Sequence, residues 1–156
     1  MKNLSFVRGC LIDLDGTVYR GRMPIPGAIE AVQRLEAAGI KVGYLSNNAS
    51  VSRAGVARRL IQLGLELELP QVVTGTSLAA SYVKDHFADR MALLIGEEGL
   101  AEELQLANIT FGRAGESDFN ALDYGAVVVG CDRHFSYVKL NQALQVLLLG
   151  GGLIAT

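Results

Sequence analysis

The stretch Phe6-Val7-Arg8-Gly9-Cys10-Leu11-Ile12-Asp13-Leu14-Asp15-Gly16-Thr17 decides the fold. It is short and densely apolar, lacks helical spacing and ends on an acid, which reads as a buried strand over 6–13. Gly16 permits a sharp turn directly after the acids and so keeps Asp15 close to the strand end. Beyond it, Gly16 to Pro26 is broken early and late by glycine and proline, the mark of a loop or small flap. Gly27 to Ala38 then places Ala28, Ile29, Val32, Leu35 and Ala38 on one helical face. Pro26 suits a helix start and Gly39 a helix end.

The alternation continues to the end of the chain. Strands are expected at 40–45, 71–74, 91–95, 126–130 and 153–156, and helices from near Ser52 to Leu63, then over 77–87, 99–106 and 136–149. Strands alternating with helices imply parallel pairing and right-handed crossovers in a layered α/β domain. Such sheets bind ligands at the carboxyl ends of their strands. The first strand ends in Asp13-Leu14-Asp15-Gly16-Thr17 and the second in Ser46-Asn47-Asn48. If the two are neighbours, their tips lie about 5 Å apart. Two carboxylates, a hydroxyl and two amides then face one small volume, which suits a phosphate group. Asp13 is placed to attack phosphorus, and Asp15 to protonate the leaving oxygen and later deprotonate water. Ser46 and the backbone N–H groups after each strand, Gly16 and Asn47 among them, are candidates for binding phosphoryl oxygens, with Asn48 shaping the site. A carboxylate approaches a dianionic phosphate only with positive charge between them. Mg²⁺ held by Asp13, a backbone carbonyl near Asp15 and a substrate oxygen would supply it.

Asp13–Thr17 resembles the first motif of the haloacid dehalogenase superfamily, D-x-D-G-[TV]. Ser46-Asn47-Asn48 resembles its second motif in the form of the NagD-like and para-nitrophenyl phosphatase subfamily, which carries a large cap after that motif. Val72-Val73-Thr74 resembles the third core strand, and Val127-Val128-Val129-Gly130-Cys131-Asp132 with Tyr137 resembles a stretch of the cap. The resemblance implies a Rossmann-like three-layer parallel-sheet core, of which residues 1–88 are the N-terminal half, and an α/β cap domain over 89–156 that is incomplete at its C-terminal end. It also implies a Mg²⁺-dependent phosphomonoester hydrolase that forms an aspartyl-phosphate on Asp13. A small phosphorylated metabolite is the expected partner: a sugar phosphate, nucleotide, phosphoglycolate or pyridoxal phosphate. The motif lysine and further metal-binding acids of the family would follow the cap, whereas the sequence stops at Ile154-Ala155-Thr156. The implied chain is therefore truncated by about one half-core. Its first strand becomes an open sheet edge, and a homo-oligomer would form there or through the cap. The alternative is a catalytically incomplete fragment acting as a phosphate-binding or interaction module.

Other residues carry competing readings. The spacing around Asp13 does not fit an EF-hand, because the glycine comes too early and Pro24 takes the place of the closing glutamate. An Asp-x-Asp of the nucleotide-sugar type stays open on the residues alone. Ser77 lies in Thr74-Gly75-Thr76-Ser77-Leu78-Ala79, and helix capping by Thr76 or Ser77 explains it better than a nucleophile. His134 is a loop residue or a cap contact to the leaving group, and His86 favours a helix end. Arg53, Arg58 and Arg59 either attract phosphorylated substrate or form a solvated helix face.

The 156 residues are 50% hydrophobic and 19% charged, with a net charge of −2 and a mean hydropathy of +0.29. Such a composition supports a buried core and speaks against disorder. The mild acidity provides no field for nucleic acid or an anionic membrane. The longest apolar run, 143–153, is too short to span a bilayer, and Met1–Cys10 holds no secretory h-region. Cys10 and Cys131 are expected as buried, reduced thiols, with the cytoplasm as location.

Overall fold

The computed structural model describes residues 6–156, which form two compact units. The first contains residues up to 46 and 54–73; the second contains 47–53 and 74–156.

The first unit carries a parallel sheet ordered β1-β4-β5, built from β1 (Gly9–Asp13), β4 (Lys41–Ser46) and β5 (Val72–Thr74). Thr74, the last residue of β5, clusters with the second unit. A small antiparallel hairpin, β2 (Tyr19–Arg20) and β3 (Met23–Pro24), forms the expected flap. Helices α1 (Ala28–Ala37) and α2 (Arg53–Gln62) follow the flap and β4, respectively. Gly27 caps α1 at φ 78°, a left-handed conformation that glycine adopts without a Cβ penalty. Along β4, Val42, Tyr44 and Ser46 are buried while Lys41 and Leu45 are exposed, the period-two pattern of a strand with one covered face.

The first strand differs from its expected burial. It begins at Gly9 rather than Phe6, and Leu11 is 70% exposed. With only β4 beside it among the described residues, β1 is an edge strand, so its apolar side chains lack a second neighbour. Cys10 is therefore only partly buried. Cys131 is exposed, because it lies beyond the last residue of β8, outside the pleat that would bury it. Both thiols are free.

The Tyr44 hydroxyl is fully buried and makes no hydrogen bond among the described residues. Burial first, and the Glu36 carboxylate second, push its pKa up to about 12. A tyrosine that ionises near 10 in the unfolded chain then favours the folded state while neutral. Its contribution is complete below pH 10 and disappears as pH rises toward 12. Tyr44→Phe should flatten the alkaline fall of the melting temperature in this window, and an unchanged slope would show that Tyr44 does not cause it.

The second unit is a three-layer arrangement around the parallel sheet β7-β6-β8-β9. Its strands are β6 (Met91–Ile95), β7 (Phe111–Arg113), β8 (Tyr124–Val129) and β9 (Gly152–Ala155). Alternate residues divide the core into two clusters. Ala92, Leu94, Ala126 and Val128 pack with Ala79, Ala80 and Val83 of α3 (Gly75–His86) and Leu100, Ala101 and Leu104 of α4 (Glu98–Leu106). Leu93, Ile95 and Val127 pack on the other face with Ala143 and Val146 of α5 (Tyr137–Leu148). By contact, α3 groups with the second unit, because its apolar face joins the first of these clusters.

The start of α3 also differs from expectation. Thr74 is its cap: its Oγ1 accepts from Ser77 N at 3.1 Å, while Thr74 N donates to Ser77 Oγ at 3.0 Å. Thr76 lies inside the helix, with its hydroxyl 2.8 Å from that of Thr74. The cap thus comes from the last strand residue, and the helix begins two residues earlier than the apolar spacing indicates.

Candidate active site

Strands β1 and β4 are parallel neighbours, and Asp13 is in register with Leu45. Ser46 is the next residue, so Asp13 and Ser46 stand at the carboxyl ends of adjacent strands. Past Asp13 the chain closes a tight turn. The Leu14 carbonyl accepts from Thr17 N at 3.2 Å, Val18 N at 2.9 Å and Tyr19 N at 3.1 Å. Gly16, at φ 86°, donates its N–H to the Tyr19 carbonyl at 2.7 Å. A side chain is strained in that conformation, which accounts for glycine here. The Gly16 amide is committed within the turn, so the structure gives this residue a turn-making part.

Burial and exposure alternate around this turn in a useful way. Leu14, Val18 and Tyr19 are buried and hold it down, leaving Asp13, Asp15 and Thr17 exposed to solvent. Thr17 Oγ1 lies 3.4 Å from Asp13 Oδ2, a long contact that leaves the carboxylate available. The Arg59 guanidinium carbon lies 4.2 Å above the Tyr19 ring, and Arg59 also donates to the Gly21 carbonyl of the hairpin. Burial raises the Tyr19 pKa; Arg59 opposes the rise, and the carboxylates of Asp15 and then Asp13 add to it. Tyr19 is thus a neutral support and no candidate base. Arg59, read from sequence as a possible substrate attractor, braces the hairpin instead.

Ser46 is buried, at 8% exposure. Asn47 and Asn48, the next residues in the chain, cluster with the second unit. Asn47 is exposed. Asn48 Oδ1 accepts from Ser50 N at 2.9 Å and from Ser50 Oγ at 2.7 Å, so its side chain shapes the following loop.

Elsewhere, side chains considered from sequence have structural partners. Ser77 serves the α3 cap. His86 stacks on Tyr82, with ring centroids 4.0 Å apart, and its Nδ1 is 2.9 Å from the Tyr82 carbonyl at the end of α3. His134 is exposed, and its backbone N–H donates to Asp132 Oδ1 at 2.8 Å. Lys139 Nζ pairs with Asp132 Oδ2 at 2.7 Å. Burial alone would raise the Asp132 pKa, but bonds from Lys139 and the His134 amide bring it below the usual carboxylate range. Arg58 is exposed, and Arg53 pairs with Glu103. The Glu103 partnership escaped the sequence reading; the available signal was an acid at the apolar face of α4, beside Leu100, Ala101 and Leu104.

Among the described residues, no group of three or more His, Cys, Asp or Glu side chains could by itself hold a metal ion. Asp13 and Asp15 provide hard oxygen donors on one short turn, a donor type that suits Mg²⁺ or Ca²⁺ rather than a softer ion. No helix among the described residues is long and apolar enough to cross a membrane.

A parallel-sheet α/β protein with paired aspartates on the turn after its first strand, beside a serine at the neighbouring strand end, is the class that fold and site define. The chain belongs to the haloacid dehalogenase-like hydrolase family, whose sequence model matches residues 10–110. It is 36% identical over 148 residues to the sugar-phosphatase AraL of Bacillus subtilis, covering 95% of this chain and 52% of that protein. It is also 36% identical over 175 residues to human glycerol-3-phosphate phosphatase, covering 97% and 53%. Among solved structures, the p-nitrophenyl phosphatase from Archaeoglobus fulgidus superposes with a TM-score of 0.85 at 30% identity, over 96% of this chain and 54% of that one. A glycerol phosphate phosphatase from Mycobacterium tuberculosis, solved with calcium, gives 0.79 at 30% identity, over 97% and 43%. The chain spans about half the length of the curated relatives it matches.

Proposed function

We propose that this chain carries the nucleophile and the acid–base residue of a phosphomonoester hydrolase that acts on a small phosphorylated metabolite. The observation that carries the reading is the placement of Asp13 and Asp15 on one turn, with Ser46, one residue past Asp13's register partner Leu45, ending the adjacent strand. Asp13 Oδ attacks phosphorus; the bond to the leaving oxygen breaks, and Asp15 gives that oxygen its proton. Asp15 then takes a proton from water as the water oxygen attacks phosphorus and the bond to Asp13 breaks. The Ser46 hydroxyl and the Asn47 amide donate to phosphoryl oxygens, while Gly16 and Asn48 keep the loops in shape. Mg²⁺ held by Asp13 and the Asp15 carbonyl would neutralise charge between carboxylate and phosphate.

The relatives' names support sugar phosphates, glycerol phosphate and nucleotides as the substrate class. The free thiols support a reducing compartment, so we place the protein in the cytoplasm. We assign self-association, where it occurs, to the open edge of β1 bearing Leu11.

Para-nitrophenyl phosphate hydrolysis by the 156-residue chain, with Mg²⁺ and with EDTA, tests this reading. Turnover is expected with Mg²⁺, none in EDTA, and a loss of about 10²- to 10⁴-fold in Asp15→Asn. A folded chain that binds inorganic phosphate without turnover would instead be a phosphate-binding module.

A further inference from the structure

Glu103 sits where a carboxylate is costly. Its side chain is 1% exposed on α4, between fully buried Leu100 and Leu104, in a face otherwise made of hydrocarbon. Burying one charge costs several kcal/mol unless a partner with good geometry compensates. Here both oxygens are engaged by one residue fifty positions earlier. Oε1 accepts from Arg53 N at 2.6 Å and Oε2 from Arg53 Nε at 3.0 Å. Arg53 is the first residue of α2, and its amide is one of those that a helix leaves without an internal partner. Glu103 therefore caps α2 from another element, with its negative charge at the favourable end of the helix dipole.

Arg53 also closes the segment 47–53, which starts directly after Ser46 and carries Asn47 and Asn48. The second unit seats this segment at further points. A Cβ on Gly99 would lie 2.6 Å from Ser50 O and from the Val51 backbone, so α4 approaches the segment main chain to main chain. A Cβ on Gly130 would lie 3.5 Å from Ala49 O. Asn48 and Ser50 fold the segment on itself, and Ser52 is buried. Ala49, Ser50, Val51 and Arg53 are thus each located by a contact. The contact at Arg53 is a charged, two-point hydrogen bond to α4. Packing alone would be served by leucine at position 103; the two-point carboxylate bond fixes the Arg53 end of the segment within the second unit.

We infer that Glu103 is a positioning residue: acting through Arg53, it sets the path of the segment 47–53, which carries Asn47 and Asn48 and lies with Glu103 in the second unit. The inference rests on the proposed use of that segment in holding phosphate. It assigns Glu103 no contact with substrate.

Glu103→Gln, which keeps shape and one acceptor, and Arg53→Lys, which keeps charge but loses the Nε–H, test it together. Amide hydrogen exchange over residues 46–53 reads loop order without any ligand. Protection there is expected to fall about tenfold or more in both variants, with the β6 and β8 amides unchanged. Inorganic phosphate titration and para-nitrophenyl phosphate kinetics read the consequence: KM and the phosphate Kd should each rise about tenfold, and kcat should fall less, as expected when binding rather than chemistry is disturbed. Variants with a lower melting temperature but unchanged loop exchange would overturn the inference and leave the pair a purely structural one. Loosened exchange with unchanged KM and phosphate Kd would also overturn it. If the wild-type chain neither binds phosphate nor turns over, the proposed function fails instead, while loop exchange still judges Glu103.

Discussion

Asp13→Asn should reduce para-nitrophenyl phosphate turnover by about 10⁴-fold or more, the scale on which removal of a nucleophile acts. Asparagine has nearly the same shape, and the strand pairing of Asp13 with Leu45 is made by the backbone, so the fold is retained. The carboxylate is exposed, and its side-chain contact to Thr17 is 3.4 Å long. Stability should therefore change by no more than about 0.5 kcal/mol. The amide oxygen is a far weaker nucleophile, and the variant also loses a hard anionic donor for Mg²⁺. Turnover and a thermal melt on the same sample separate these effects. A variant that melts normally yet keeps wild-type turnover would place the nucleophile elsewhere.

Gly99→Ala should destabilise the second unit, although alanine is the better helix former. The propensity gain is at most about 1 kcal/mol. Against it stands a Cβ 2.6 Å from Ser50 O, Val51 C and Val51 Cα. These are main-chain atoms and cannot rotate away as a flexible side chain would. Overpacking of this sort costs about 1–3 kcal/mol, so the clash wins and the net loss should be about 1–2 kcal/mol. A urea midpoint below wild type with an unchanged m-value is the expected outcome. A midpoint above wild type would mean that the segment yields without cost.

Much of the site was legible because its signals are local. An apolar run that stops on Asp-x-Asp-Gly-Thr states both a strand end and a turn, and Gly16 adopts the positive φ that such a turn needs. Ser46 follows an alternating strand whose buried residues include Val42 and Tyr44. Features that depend on distant partners were not legible. Strand β7 is Phe111-Gly112-Arg113, too short and too mixed to stand out; it is a strand because β6 pairs with it and Tyr124 covers Gly112. Exposure of Leu11 follows from the sheet order, and the place of α3 from the cluster it joins, neither of which periodicity encodes. Glu103 drew no reading from the sequence, since its partner Arg53 lies fifty positions away. The Gly16 amide was assigned to phosphate on proximity alone, whereas the turn closes on it first.

The most direct test of the central claim is chemical trapping at Asp13. Borohydride reduces an acyl phosphate to the alcohol but leaves a free carboxylate intact. A reaction of the chain with para-nitrophenyl phosphate and Mg²⁺, quenched during turnover, treated with borohydride and digested, should yield the peptide spanning Asp13 with homoserine in its place and Asp15 unchanged. Recovery of that peptide with both aspartates intact, from a sample that was turning over, would contradict Asp13 as the nucleophile.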